Sequence, residues 1–352
     1  MDQKATDQTA ATVQTPLARR AADGLAARTR WRPLEILFWL AAFATIWLAP
    51  GHHLLLTEIA WLGLFALSLD LVLGYAGIIS LGHAAFFGFG AYVAALLAKF
   101  EIVNEPVLAL IVAGFAAAAL GFVTSFLVLR GTDLTRIMVT LGVALVLREI
   151  ANQNGWLTGG ADGLQGVTMQ PILGRFRFDM FGHNGYIYCL VTLFVLTMVA
   201  RRIVNSPFGL SLQSIRNNPL RAAALGINVN ARLIAIYTIA AFYAGVAGAL
   251  LAQTQAFASL AYFDFERSAD LLLILIIGGT GYLYGGVIGA IIFKIMQDYL
   301  SQLTPQYWPF WIGLLLVVMV MVGRDRIAGW MSPVRNLLLK LDVAIHRVRT
   351  RS

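Results

Sequence analysis

The sequence predicts an all-α integral membrane protein, a polytopic helical bundle of about ten transmembrane helices. Three observations carry that expectation. The 352 residues are 59% hydrophobic and only 12% charged, about half the charged share of an ordinary globular chain, and the mean hydropathy is +0.74. Apolar runs close to the length that a bilayer core demands, about 20 residues of helix, recur from residue 34 to residue 322. Between them Lys and Arg gather in alternate connections, the asymmetry of a multi-pass chain.

Residues 1–33 lack the apolar stretch of a cleaved secretory signal and read as a polar cytosolic tail. The apolar domain covers 34–323, with spans expected at 34–50, twice within 54–100, then at 106–129, 137–152, 184–200 and 233–257, twice within 268–300, and at 307–322. The run 54–100 has no Lys or Arg before Lys99, so its two crossings share a very short connection, and Gly74, Gly77 and Gly82 place it near 74–83. The stretch GGTGYLYGG at 278–286, with Gly278, Gly279 and Gly281, splits the later pair in the same way. Lipid offers the backbone no partners, so helices broken by glycine persist at membrane depth only where protein or a water-filled path satisfies them.

Two long polar stretches interrupt the apolar pattern. Residues 153–183 hold TGGADGLQG, Pro171, Arg175 and Arg177, and a connection of that length is functional or disordered. Residues 203–232 read as short soluble helices that start at Ser206-Pro-Phe-Gly209 and separate at Asn217-Asn218-Pro219. A basic tail, 324–352, closes the chain. With both termini cytoplasmic, the tails and the connections 130–136 and 201–232 hold 20 of the 26 Lys and Arg residues. That distribution obeys the positive-inside rule and puts 74–83 toward the cytoplasmic end of its two spans.

Several chemistries are excluded. No metalloprotease or serine-hydrolase motif occurs, and none of the four lysines follows a glycine, so the phosphate loop G-x-x-x-x-G-K-[ST] is absent. Cys189 stands alone, leaving no intrachain disulfide and no cysteine metal site. The net charge of +8 belongs to the cytoplasmic connections, and no basic helix interleaved with aromatics points to nucleic acid. Ionisable groups within spans cost about 2.5–3.5 kcal/mol each on insertion scales and so face a bundle interior or a cavity. Asp70 and Glu149 suit a translocation path or a structural hydrogen bond. Lys294 and Asp298, four residues apart, are expected to pair on one helix face. Ser80 is expected to cap the helix that resumes after the first break, beside His83, which either faces substrate or bonds the interrupted backbone.

The runs LGYAGIISLGHAAFFGFGAYVAALLA, TGGADGL, SPFGLSLQSIRNNPLRAAALGINVNARLIAIYTIAAFYAGVAGAL and IGGTGYLYGGVIGA resemble LivM-type permeases of branched-chain amino acid ABC importers, in the right order across most of 35–325. The resemblance implies a type II importer-like permease domain in the bacterial inner membrane. It also implies four kinds of partner: a LivH-like second permease subunit, two ATPase subunits, a periplasmic binding protein and membrane lipid. This chain would bind no cofactor itself, since ATP and magnesium belong to the ATPase. Carried over by position, 208–227 becomes the segment that couples to the ATPase, with Phe208, Gly209, Arg216, Arg221, Ala222, Ala223 and Gly226 as its marked residues. The acid of the general importer EAA loop is absent, and Arg221 stands near its place. Asp70, Gly74, Gly77, Ser80, Gly82, His83, Gly278, Gly279 and Gly281 become candidates for a gate, a path or a packing seam. Thr158, Gly159, Gly160, Asp162 and Gly163 mark a periplasmic loop that receives substrate. The implied substrates are leucine, isoleucine and valine. The alternatives are urea, amides or aromatic acids in the same family, and an ion-coupled secondary transporter outside it.

Overall fold

The computed structural model describes residues 33–131, 133–179 and 181–322. The two expected tails lie outside these residues, except for Pro33, which opens the first helix. The principal helices are α1 (Pro33–Leu48), α2 (His53–Asp70), α3 (Ala84–Lys99), α4 (Pro106–Val128), α5 (Asp133–Gln153) and α6 (His183–Val204). Then follow α7 (Pro207–Asn217), α8 (Pro219–Ala224), α9 (Val229–Gln255), α10 (Phe265–Gly278), α11 (Gly285–Leu303) and α12 (Trp308–Val322). Each expected span falls on a helix. Among the described residues, four helices are long and apolar enough to cross a bilayer: α2 with its π-helical extension to Tyr75, α4, α6 and α9.

Local chemistry sets the helix ends. Glu105 accepts from the Leu108 amide at 2.6 Å ahead of Pro106, and Asn218 accepts from the Arg221 amide at 2.9 Å ahead of Pro219. Ser206 and Asn228 serve α7 and α9 in the same way. Each cap satisfies an amide that the first turn leaves orphaned, while proline at the first position has no amide to orphan.

The centre of the bundle is α2, α3 and α9. α9 packs most extensively on α4 and α3, and α2 packs on α11, α6 and α9. The window of α2 and its extension is 83% buried, against 33% for α4 and 44% for α6, so α4 and α6 turn apolar faces outward. Phe115, Phe122 and Val123 on α4 are exposed there. Helices in lipid gain little from hydrophobic burial against each other and associate through close contact of small residues. α9 supplies such residues: a Cβ on Gly248 would lie 1.9 Å from the Phe87 carbonyl oxygen of α3, and one on Gly245 would lie 2.3 Å from Ala117 Cβ of α4. Gly248→Val forces the two backbones apart, and we expect a loss of about 1–3 kcal/mol, the usual cost of overpacking. It is read as a lowered thermal midpoint in detergent. Gly142→Ala, at a helical glycine with nothing within 4 Å, serves as the matched control and leaves the midpoint unchanged or slightly raised. Equal midpoints for Gly248→Val and wild type would remove the close-packing argument.

The connection 154–182 lies at one end of α6, and α7 and α8 follow its other end. These two stretches therefore mark opposite ends of the bundle.

Candidate functional site

An interrupted helix must find new partners for the backbone groups it no longer satisfies. α2 ends at Asp70, continues as one π-helical turn over Leu71–Tyr75, and the chain then unwinds until α3 begins. Within the turn, the Gly77 amide bonds the Leu73 carbonyl at 3.2 Å and the Ile78 amide bonds the Val72 carbonyl at 3.2 Å. The Gly74 carbonyl is thereby passed over. Arg216, in the last turn of α7, donates to it through Nη1. At the second break α10 ends at Gly278, Gly279 turns the chain with φ 92°, and the amide of Gly281 donates to Asp70 Oδ1 at 2.7 Å. The first break thus satisfies an amide of the second, and the helix outside the apolar spans satisfies the Gly74 carbonyl of the first.

The crossing has no spare room. A Cβ on Gly74 would lie 2.1 Å from Asp70 Oδ1 and 2.6 Å from the Gly281 nitrogen, and one on Gly77 would lie 3.0 Å from Arg216 Cγ. At the base of the second break a Cβ on Gly278 would lie 1.8 Å from the Gly285 carbonyl oxygen.

Ser80, Gly82 and His83 belong to the first break but face other elements. His83 is fully buried, with Nε2 2.9 Å from Ser68 Oγ of α2. Its ring stacks on Phe65 at 5.9 Å, and Phe65 stacks on Phe87 at 4.3 Å. A Cβ on Gly82 would lie 1.8 Å from the Thr140 carbonyl oxygen of α5. The expectation that Ser80 caps α3 is corrected. The Ala84 amide donates instead to Ser268 Oγ of α10 at 3.1 Å, because residues 81–83 separate Ser80 from the first helical turn. Ser80 Oγ, buried, has no hydrogen-bond partner among the described residues.

Lys294 and Asp298, expected within a span, also pair differently from expectation. Lys294 Nζ lies 2.5 Å from Glu58 Oε2 on α2 and donates to Gln297 at 3.1 Å. Asp298 instead accepts from Gln302 Nε2 at 3.1 Å. Same-face spacing allowed the Asp298 pair, but tertiary packing of α11 on α2 offered a nearer acid. Arg148 pairs with Asp264 at 2.7 Å, and Glu149 accepts from Gln153 at 2.6 Å. Arg201 and Glu35 form a largely buried pair at 3.1 Å between α6 and α1.

Of the residues marked in 208–227, Gly209 and Ala222 are buried, and a Cβ on Gly209 would lie 2.0 Å from the Val204 carbonyl oxygen. Phe208 is half-buried beneath the Arg232 guanidinium, 5.3 Å from its ring centre. Arg216 is exposed as a residue, passes close to Gly77 and reaches the break at its tip. Arg221, Ala223 and Gly226 are exposed, and Gly226 holds φ 83°. The sequence reading missed Leu220 and Leu225, which are 83% and 72% exposed. Their signal was present: leucines on, and just after, a short helix that no apolar span requires.

At the opposite end, Thr158 Oγ1 bonds back to the Ala151 carbonyl at 2.5 Å, Gly159 and Gly163 take φ values of 80° and 75°, and Gly160 is buried. The next residue, Leu164, bridges Ala258, its amide 2.7 Å from that carbonyl. The TGG run is therefore a fold-back that pins the end of α9, and of its five marked residues Asp162 is exposed. Asp179 accepts from the His183 and Asn184 amides at 3.1 and 2.9 Å. Partial burial pulls its carboxyl up, but these two donors, its own amide and the His183 ring together outweigh it and hold the group below the usual carboxylate range.

Four apolar helices of crossing length, with two interrupted helices bonded to each other and a helix outside the apolar spans bonded to the first, define a multi-pass helical membrane protein. The chain belongs to the family described as "Branched-chain amino acid transport system / permease component", which matches residues 53–322. It is 28% identical over 279 residues to the high-affinity branched-chain amino acid transport system permease protein LivM of Escherichia coli (strain K12), a match covering 73% of this chain and 65% of that protein. It is 24% identical over 250 residues to the probable branched-chain amino acid transport permease protein LivH of Methanocaldococcus jannaschii, covering 68% of this chain and 76% of that one. It is also 24% identical over 226 residues to the fructose import permease protein FrcC of Rhizobium meliloti, covering 61% and 62%. No solved structure matches the chain. The family and the four crossing-length helices make it a multi-pass inner-membrane protein.

Proposed function

We propose that the chain is a permease subunit of an ATP-binding-cassette importer that carries branched-chain amino acids into the cytoplasm, with ATP and magnesium held on separate ATPase subunits. The observation that carries the reading is the bond from Arg216 to the Gly74 carbonyl. A subunit without a phosphate loop of its own needs a part for the ATPase to move, and α7 is bonded directly to an interrupted membrane helix. Membership of a branched-chain permease family and the LivM and LivH relatives support the substrate class and a second permease subunit. In this reading about ten helices cross the bilayer, both termini are cytoplasmic, 203–232 meets the ATPase and 153–183 receives substrate from a periplasmic binding protein. The paired glycine breaks then form the inner gate. Reconstitution tests it: leucine uptake requires ATP and the ATPase subunits, and concentrative uptake by the chain alone would sink the reading.

The docking face is testable separately. Leu220 and Leu225 are exposed on the segment assigned to the ATPase, and buried anchors at interfaces are worth about 2 kcal/mol or more. Leu220→Asp with Leu225→Asp therefore lowers affinity for the ATPase at least about tenfold while membrane insertion is unchanged. Retention of wild-type co-purification and ATPase affinity would remove these leucines from the interface.

A further inference from the structure

Away from the knotted breaks, α2, α10 and α11 enclose a polar cavity of about 200 Å³ that also touches α3 and α9. Four ionisable side chains meet there: Glu58 of α2, Arg267 and Asp270 of α10, and Lys294 of α11. Charges gathered inside an apolar bundle face a path or a site, and these four sum to zero. Glu58 and Lys294 already neutralise each other at 2.5 Å. Neither Arg267 nor Asp270 makes an ion pair or a side-chain hydrogen bond with another described residue. They stand three apart on one helix, so they share a face with their Cβ atoms about 5–6 Å apart. Both line the cavity, so the pair offers one cationic and one anionic head to a molecule that carries an anion and a cation on one carbon. The lining also includes the aromatic rings of Trp61, Phe65 and Phe87. The volume lies below the roughly 300–1,000 Å³ of ordinary ligand pockets, so the occupant is small.

We propose that this cavity is a transit site for an α-amino acid zwitterion: Arg267 takes the carboxylate through its planar fork, Asp270 takes the ammonium, and the apolar side chain lies on the aromatic wall. The inference rests on the importer reading and deepens it, because it gives the permease substrate recognition of its own. Phe65 and Phe87 line the cavity and stack on each other, and Phe65 stacks in turn on His83. By helix rise, Glu58 stands roughly 18 Å along α2 from Asp70. The cavity and the knotted breaks are therefore successive stations on one helix, with an aromatic pair between them.

The test uses the assembled importer, in nanodiscs without its binding protein for binding and in proteoliposomes with the binding protein for uptake, with radiolabelled L-leucine as the probe. Leucine binds in the millimolar range, and neither its decarboxylated analogue isoamylamine nor its deaminated analogue 4-methylpentanoate competes within tenfold. Arg267→Gln and Asp270→Asn, in complex recovered at wild-type yield, each weaken leucine binding about tenfold or more, and Arg267→Lys weakens it less. Three results overturn the zwitterion site: variants that bind as wild type does, analogues that compete as well as leucine, or no leucine binding by a complex that imports leucine once the binding protein is restored. Should the variants fail to assemble, the analogue series on the wild-type complex decides alone. A restored complex that imports no amino acid overturns the importer reading instead.

Discussion

Replacing Arg216 by methionine lowers ATP-driven leucine uptake by about ten- to a hundredfold while the chain still inserts and still binds its ATPase. Methionine keeps the stem of the side chain but has no donor for the Gly74 carbonyl, which the π-helical turn leaves without a backbone partner. A hydrogen bond from a charged group is worth about 1.5–3 kcal/mol, and the exposure of Arg216 puts this one toward the lower figure. Coupling between sites commonly amounts to about 1–3 kcal/mol, or 5- to 150-fold. Losing one bond can therefore remove most of the coupling without unfolding the bundle. Arg216→Lys restores part of the uptake, since an ammonium reaches the same oxygen with a single donor. The two variants are compared by uptake and by ATP hydrolysis in proteoliposomes. Wild-type uptake by Arg216→Met would show that the bond transmits nothing.

Much of the fold was legible because its signals are local. Apolar run length and the placement of arginine located every expected span on a helix, and Ser206 and Asn218 begin the two helices between α6 and α9 as their N-cap chemistry requires. What could not be read is what is brought together across the chain. The two glycine breaks each announced an interruption, but nothing local says that Asp70 serves a backbone amide 211 residues away. The same blindness misassigned Ser80, whose expected place is taken by Ser268 from α10, and paired Lys294 with Asp298 when α2 held Glu58. Arg216 and Gly74 were both marked, in separate roles, and the structure joins them. The TGG loop was read as a receiver of substrate. Its positive-φ glycines and its bridge to Ala258 show at least a structural task that glycine patterning alone does not separate from binding.

The smallest substitution at the crossing has the largest expected consequence. Gly74→Ala adds one methyl group where the nearest atoms are Asp70 Oδ1 at 2.1 Å and the Gly281 nitrogen at 2.6 Å, the two ends of the bond that joins the breaks. Neither atom can yield by a simple rotamer change. The nitrogen is backbone, and moving the carboxylate strands the Gly281 amide at a cost of about 1–3 kcal/mol. The methyl group also improves helix propensity by about 1 kcal/mol, so the variant favours a continuous helix where the wild type is interrupted. Both effects push one way, toward a bundle whose breaks no longer meet. We expect leucine uptake to fall below detection, with insertion retained and ATP hydrolysis detached from transport. Gly51→Ala, at a glycine with nothing within 4 Å of the added atom, keeps wild-type uptake. If Gly74→Ala also transported normally, the breaks would be a static packing seam, and the movement that admits substrate would have to be sought elsewhere in the bundle.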